Sequence, residues 1–194
     1  MIKKALWLEY FTVGYNIIEG IVSILVGLGA NSIALVGFGS DSFIESFSGG
    51  IMIWRLKKDG KIDEREKKKM ETRAIKLIAI SFFLLAAYVL FEAVKKLYFQ
   101  EVPEPTIWGI AIALFSISIM IPVYFWKKKI GNKKNMRSLL IDSKQSLACM
   151  CLSVTMLLGL GLNYFCSWWW ADPVAGIIIT GFLINEGYHA LKEP

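Results

Sequence analysis

A chain of 194 residues that is 55% hydrophobic, with a mean hydropathy of +0.50, is too apolar for a soluble domain of this size. That composition belongs to an integral membrane protein and leaves little chain for a soluble catalytic domain. The net charge of +6 would suit nucleic acid, but the basic residues fall in two short stretches between apolar runs. A loop bias that orients a membrane protein explains them better than a nucleic-acid surface does.

A helix needs roughly 20 largely apolar residues to cross the hydrocarbon. Six such stretches, at about 6–28, 31–54, 74–98, 106–126, 138–165 and 173–191, use nearly the whole chain. The expected fold is an all-α integral membrane domain of six transmembrane helices spanning residues 1–194. The first stretch is too long for the apolar region of a signal peptide and has no convincing cleavage site, so it is expected to be retained. Cys149, Cys151 and Cys166 form no CxxC pattern and give no disulfide framework.

Span one carries Glu9, Asn16 and Glu19, and Asn16, Glu19 and Ser23 share one face. Gly29-Ala-Asn-Ser32 is a tight connection that makes spans one and two an antiparallel hairpin. Span two holds Asp41 and Glu45 among many small residues, including Gly37, Gly39, Ser42, Ser46, Ser48 and Gly49. The small residues are expected to let neighbouring helices approach closely.

The hydrophilic stretch 55–73 reads, from Asp63 on, as a solvated helical extension of span three laced with i,i+4 ion pairs. Glu92, Lys95 and Lys96 near the far end of span three are expected to pair and snorkel. Span four has no charged residue, which suits a place at the outside of the bundle or a purely structural role. Lys127 to Arg137 reads as a second basic loop with no acid in it.

Span five follows with Asp142, Lys144, Gln145, Ser146 and Cys149. Asp142 is open to two readings, a cation-attracting mouth residue or the partner of Lys144 or another basic neighbour. Ser167-Trp-Trp-Trp-Ala-Asp-Pro173 forms a turn with tryptophans at headgroup level, Asp172 placed to cap span six and Pro173 in its first turn. His189 reads as interfacial. The N-terminus, both basic stretches and Lys192 fall on one side, so the positive-inside rule places both termini in the cytoplasm.

Asp41 and Glu45 are the features a lipid environment tolerates least. On a helix they stack on one face, and each charge at bilayer depth costs about 2.5–3.5 kcal/mol unless paired, protonated or wet. A cation or a proton must join them, or they are a protonated pair that glues helices. Counting back from Arg55 and Arg137 at 1.5 Å per residue puts Asp41 ~21 Å, Cys149 ~18 Å, Glu45 ~15 Å and Gln145 ~12 Å from one membrane face. Asp142 lies ~7.5 Å from it by the same rise. Span five can therefore bring an amide and a thiol to the depth of the acid pair. Cys149 reads almost equally well as a small buried hydrophobe.

These residues resemble the transmembrane domain of a cation diffusion facilitator. Ser40-Asp41-Ser-Phe-Ile-Glu45 is similar to that family's pair of His/Asp residues four apart on span two, with Glu in the second place. Ile141-Asp142-Ser-Lys-Gln145-Ser-Leu-Ala-Cys149 resembles its motif on span five, and Ala171-Asp172-Pro173 its entry into span six. The resemblance implies six spans with both termini inside, divalent-metal/proton antiport without enzymatic chemistry, and a metal site drawn from Asp41, Glu45, Cys149, Gln145 and Asp142. Gln145 and Cys149 stand where the family has His and Asp, so its zinc site does not carry over whole. A thiolate favours Zn-like ions and Gln is a weak oxygen ligand.

The expectation is therefore export of a Zn-like ion from the cytoplasm across the cell membrane, with protons as counter-ion, no bound cofactor and no nucleic-acid partner. The family's cytoplasmic C-terminal domain is expected to be absent, so a homodimer would be held by membrane helices alone. Two other readings stay open, a non-transporting membrane partner protein of the same fold and a transporter of a different cationic substrate.

Overall fold

In a computed structural model, described over residues 2–29, 33–59, 63–100, 107–166 and 168–192, the chain forms six α-helices and no strand among those residues. They are α1 (Ile2–Gly29), α2 (Ile33–Lys57), α3 (Glu64–Phe99), α4 (Ile107–Lys134), α5 (Arg137–Cys166) and α6 (Ala171–Lys192). The largest helix pairings are α1 with α2, α3 with α6 and α4 with α5.

The molecule is inside out by the standards of a soluble protein. Trp7, Ile18, Leu25, Phe91, Phe115 and Ile178 are exposed, whereas Glu9, Asn16, Glu19, Asp41, Glu45, Lys127 and Asp142 are buried. Apolar surface is stable against lipid, and polar side chains must find partners within the bundle. α1, α3, α4 and α6 are each long and apolar enough to cross a membrane by length and composition. α2 and α5, where the candidate residues lie, are of comparable length but carry more polar positions, and they pack against each other inside the bundle. An apolar cluster between α2, α3, α5 and α6, with Met52, Leu56, Ile78, Phe82, Leu139 and Leu183 nearly dry, holds that arrangement.

Two local features set helix bounds. The Asp63 side chain accepts from the Glu66 N–H at 2.8 Å, so α3 begins there, well before its apolar part. The expected helical extension is present, but its best pairing runs between helices. Arg55 Nε of α2 donates to Glu71 at 2.6 Å, and the other Glu71 oxygen accepts from the Ser138 N–H at the start of α5 at 2.8 Å. Within the stretch, Lys67 lies 3.5 Å from Glu64 and Arg55 only 4.0 Å from Asp59.

The second difference concerns the stretch read as a basic loop. α4 continues through Lys127 to Lys134 and closes at Asn135, whose φ of 51° is left-handed. There the Met136 N–H donates to the Gly131 carbonyl at 2.9 Å, a closure that satisfies an orphan carbonyl. The loop shrinks to Asn135 and Met136, and one lysine is carried into the bundle. The Gln100–Pro105 and Gly29–Ser32 turns and the side chain of Asp172 lie wholly or partly outside the described residues. Trp168 and Trp170 stack at 5.5 Å beside the start of α6.

The α1–α2 hairpin is close-packed through glycine. A Cβ added at Gly39 would sit 2.7 Å from the Gly20 carbonyl oxygen, and one at Gly20 would sit 3.0 Å from that of Gly39. Neither backbone can yield to a side chain. Gly39→Val should cost about 1–3 kcal/mol by overpacking and lower the unfolding midpoint in detergent. Gly50→Ala is the control, because nothing lies within 4 Å of its added methyl. Equal midpoints for the two variants would contradict the close contact.

Candidate functional site

Polar side chains in the interior fall into three groups along the axis of the bundle. The first lies toward the end where Arg55 and Arg137 sit. Lys127 Nζ of α4 donates to Asp142 Oδ2 of α5 at 2.6 Å and lies 3.0 Å from Glu9 Oε2 of α1. Ser48 of α2 donates to Asp142 Oδ1 at 2.6 Å. Lys127, Asp142 and Glu9 are 1%, 1% and 0% exposed, so four helices converge on one dry ionic cluster.

The second group is at mid-depth. Glu45 of α2 sits beside the Ser146 hydroxyl and the Cys149 thiol of α5, yet neither carboxylate oxygen reaches a partner in hydrogen-bond geometry. Glu19 of α1 lies within electrostatic reach of it. Glu19 accepts from Tyr15 at 2.6 Å and from Ser42 of α2 at 3.0 Å, which fastens α1 to α2. Buried Asn16 and Ser116 contribute further unpartnered polar atoms.

The third group surrounds Asp41, 8% exposed, whose Oδ1 has no partner. It lines a cleft with Tyr88, Glu92 and Lys96 of α3, Thr155 of α5 and Pro173 of α6. Asp41 thus opens toward α3 and α6, whereas Glu45 turns toward α5. The two acids interact electrostatically with one another and with Cys149, but Asp41 lines the cleft against α3 and Glu45 does not.

Of the five residues singled out in the sequence, Glu45 and Cys149 are neighbours and Asp41 is within their field. Gln145 and Asp142 are engaged elsewhere. Gln145 Oε1, its metal-ligating atom, accepts from Ser81 of α3 at 2.9 Å. Asp142 belongs to the ionic cluster, and its basic partner is Lys127. Lys144 goes instead to Glu186 of α6, at 2.5 Å. No three His, Cys, Asp or Glu side chains converge at metal-binding distance among the described residues. Any ion held between α2 and α5 would therefore need a shift of side chains or helices to gather a third ligand.

Sequence reasoning missed Lys127 and gave Glu9 no role. The signal was present. The buried positions of α4, Gly109, Ala113, Ser116, Met120, Val123 and Lys127, form one unbroken stripe at three- and four-residue spacing. Lys127 continues an inward face, whereas Lys128 and Lys129 are exposed. Span four is accordingly not a mere outer helix, because it delivers the one buried ammonium of the cluster.

The comparisons agree with one another. The family model described as the cation efflux transmembrane domain matches residues 11–194. A cadmium, cobalt and zinc/H(+)-K(+) antiporter of Bacillus velezensis is 27% identical over 98% of this chain and 61% of its own length. The protein of the same description from Bacillus subtilis is 25% identical with the same coverage. Transmembrane protein 163 of Xenopus laevis is 21% identical over 98% of the chain and 67% of its length. The chain thus spans about 61% of the length of the two bacterial relatives.

Removing the buried ammonium while leaving its acids is the most damaging change expected here. Lys127→Ala should cost about 3–5 kcal/mol, as for breaking a buried ion pair from one side. Ser48→Ala, which removes one hydrogen bond to a carboxylate, should cost about 1.5–3 kcal/mol. Denaturation of the detergent-solubilised protein checks the order, and a Lys127→Ala variant as stable as wild type would contradict the burial of the cluster.

Proposed function

The chain belongs to the cation efflux transmembrane-domain family, and from that premise we propose that it moves divalent metal cations across the membrane between α2 and α5. The observation that carries this reading is the state of the acid pair. Asp41 Oδ1 and both oxygens of Glu45 are buried without hydrogen-bond partners at the centre of a membrane bundle. Negative charge so placed is costly unless a cation or proton visits it.

In this reading Asp41, Glu45 and Cys149 supply the principal ligands, with Gln145 or water completing the shell and Asp142 nearer the mouth. The thiol favours a Zn-like ion over a hard one. Carboxylates and a thiol must release protons to bind a metal, so loading and unloading are coupled to protons in exchange. Among the described residues no nucleophile–base pair suggests covalent chemistry. Positive charge at the Arg55, Lys127–Lys134 and Arg137 end supports cytoplasmic termini in the cell membrane and export as the direction. A homodimer held through the apolar outer faces belongs to the same reading.

The separate orientations of Asp41 and Glu45 are part of the cycle here. Asp41 lines a cleft against α3 and α6, and Glu45, one turn nearer the basic end, faces Ser146 and Cys149 of α5. Rocking of the α1–α2 hairpin against α4–α5 would bring ligands together and expose them to alternate sides. A specific observation favours a second reading, a membrane partner protein that does not transport. Gln145 is committed to Ser81, and three strong ligands do not meet among the described residues.

In proteoliposomes Asp41→Ala should abolish zinc-dependent proton flux while leaving the protein folded, and unchanged flux would remove Asp41 from the path. Cys149→Ser should weaken zinc or cadmium uptake more than uptake of a harder ion such as manganese. An equal loss for all three ions would remove the thiol from the ligand set. Absence of saturable divalent binding by the wild type in detergent would favour the partner reading.

A further inference from the structure

The ionic cluster at the basic end is built in a way that a simple salt bridge does not require. Two carboxyl groups face a single ammonium, one more than a simple ion pair uses. Glu9 is wholly buried and its Oε1 has no partner. Its Oε2 lies 3.0 Å from the ammonium but outside hydrogen-bond geometry. The oxygens that reach Lys127 Nζ come from two helices, Glu9 Oε2 from α1 and Asp142 Oδ2 from α5, and Ser48 of α2 donates to the other oxygen of Asp142. The two carboxyl groups thus converge on one cation, and that cation is the end of a flexible side chain.

We propose that Glu9, Asp142 and Ser48 form a second cation site, distinct from the Asp41/Glu45 region, which the Lys127 ammonium fills in this structure and a divalent cation fills when the lysine withdraws. Two carboxylates, once deprotonated, balance the charge of a divalent ion. Carboxylate and hydroxyl oxygens are ligands for hard or borderline divalent ions. Lys127 has somewhere to go. It sits one residue before Lys128 and Lys129, both exposed, at the polar end of α4, and its long stem can carry the ammonium out toward water. Because Lys127 also joins α4–α5 to α1–α2, its displacement by an arriving ion would loosen the two hairpins at this end. The lysine thus acts as a tethered competitor for the ion.

The test compares wild type with Lys127→Gln, purified in detergent, by equilibrium dialysis against cadmium or manganese chloride and by thermal unfolding with and without the ion. Lys127→Gln should fill one site per chain at a lower ion concentration than wild type does and should be stabilised more by that ion, because no tethered ammonium competes for the oxygens. Glu9→Gln/Lys127→Gln should lose both effects. Binding curves that coincide for wild type and Lys127→Gln at every ion concentration would overturn the proposal and leave the cluster as a structural ion network. If wild type binds no ion but Lys127→Gln binds one, the transport reading of the Asp41/Glu45 region fails while the second site stands. Should Lys127→Gln fold only in the presence of the cation, the site is supported. If it fails to fold even then, whether or not the double variant folds, the proposal falls.

Discussion

An ammonium held between two carboxyl groups away from water is what fastens this bundle at its basic end. Lys127, Asp142 and Glu9 take one element each from α4, α5 and α1, and Ser48 adds α2, so hairpins distant in the chain are locked at one end. Such a cluster is expensive to assemble and more expensive to break from one side, since a remaining charge would be left bare in a low-dielectric interior. Helices with lipid-facing apolar surfaces have little hydrophobic reason to choose their neighbours, and polar groups with no alternative partner supply the choice. The bundle is closed tightly where the ionic cluster sits and is less satisfied further along, around Glu45 and Asp41.

That gradient connects stability to function. At the basic end the charged side chains are paired, Arg55 with Glu71, Lys144 with Glu186 and Asp142 with Lys127 and Ser48, although Glu9 Oε1, Arg55 Nη1 and Ser138 Oγ make no hydrogen bond. At mid-depth, Asn16, Glu45, Ser116 and Ser146 carry buried atoms without partners. Unpartnered polar groups cost stability, which a fold tolerates where something else makes the missing contacts part of the time. The close glycine contact between α1 and α2 makes that hairpin a stiff unit, so relative motion is easier between hairpins than within one.

Much of this was legible from the chain. Apolar length and charge placement suffice for the six helices, because lipid permits few alternatives to a helix. The run from Asp63 reads as helix because its capping aspartate and charges at helical spacing say so, and the glycines of span two read as close contacts. What escaped was pairing between distant positions. Lys127 stands first in a run of lysines, where local context says solvent, and only the spacing from Ser116 through Met120 and Val123 reveals that it faces inward. Asp142 could have belonged to Lys144, one turn's fraction away, but helix geometry turns neighbours apart and sends Lys144 to α6. Depth counting placed Glu45 and Cys149 at similar levels but could not show that Asp41, one turn on, looks into a cleft against α3. Rotation about the helix axis is set by packing, and a sequence read alone does not fix it.

The central claim is that the buried carboxylates of α2 exist to meet a divalent cation. Anomalous diffraction from crystals soaked in zinc tests it most directly. The account predicts a peak between α2 and α5 at the level of Glu45, with carboxylate oxygens about 2.0–2.2 Å from the ion. Zinc-replete crystals with no peak near Asp41 or Glu45, in either the observed or a rearranged packing of the hairpins, would contradict it.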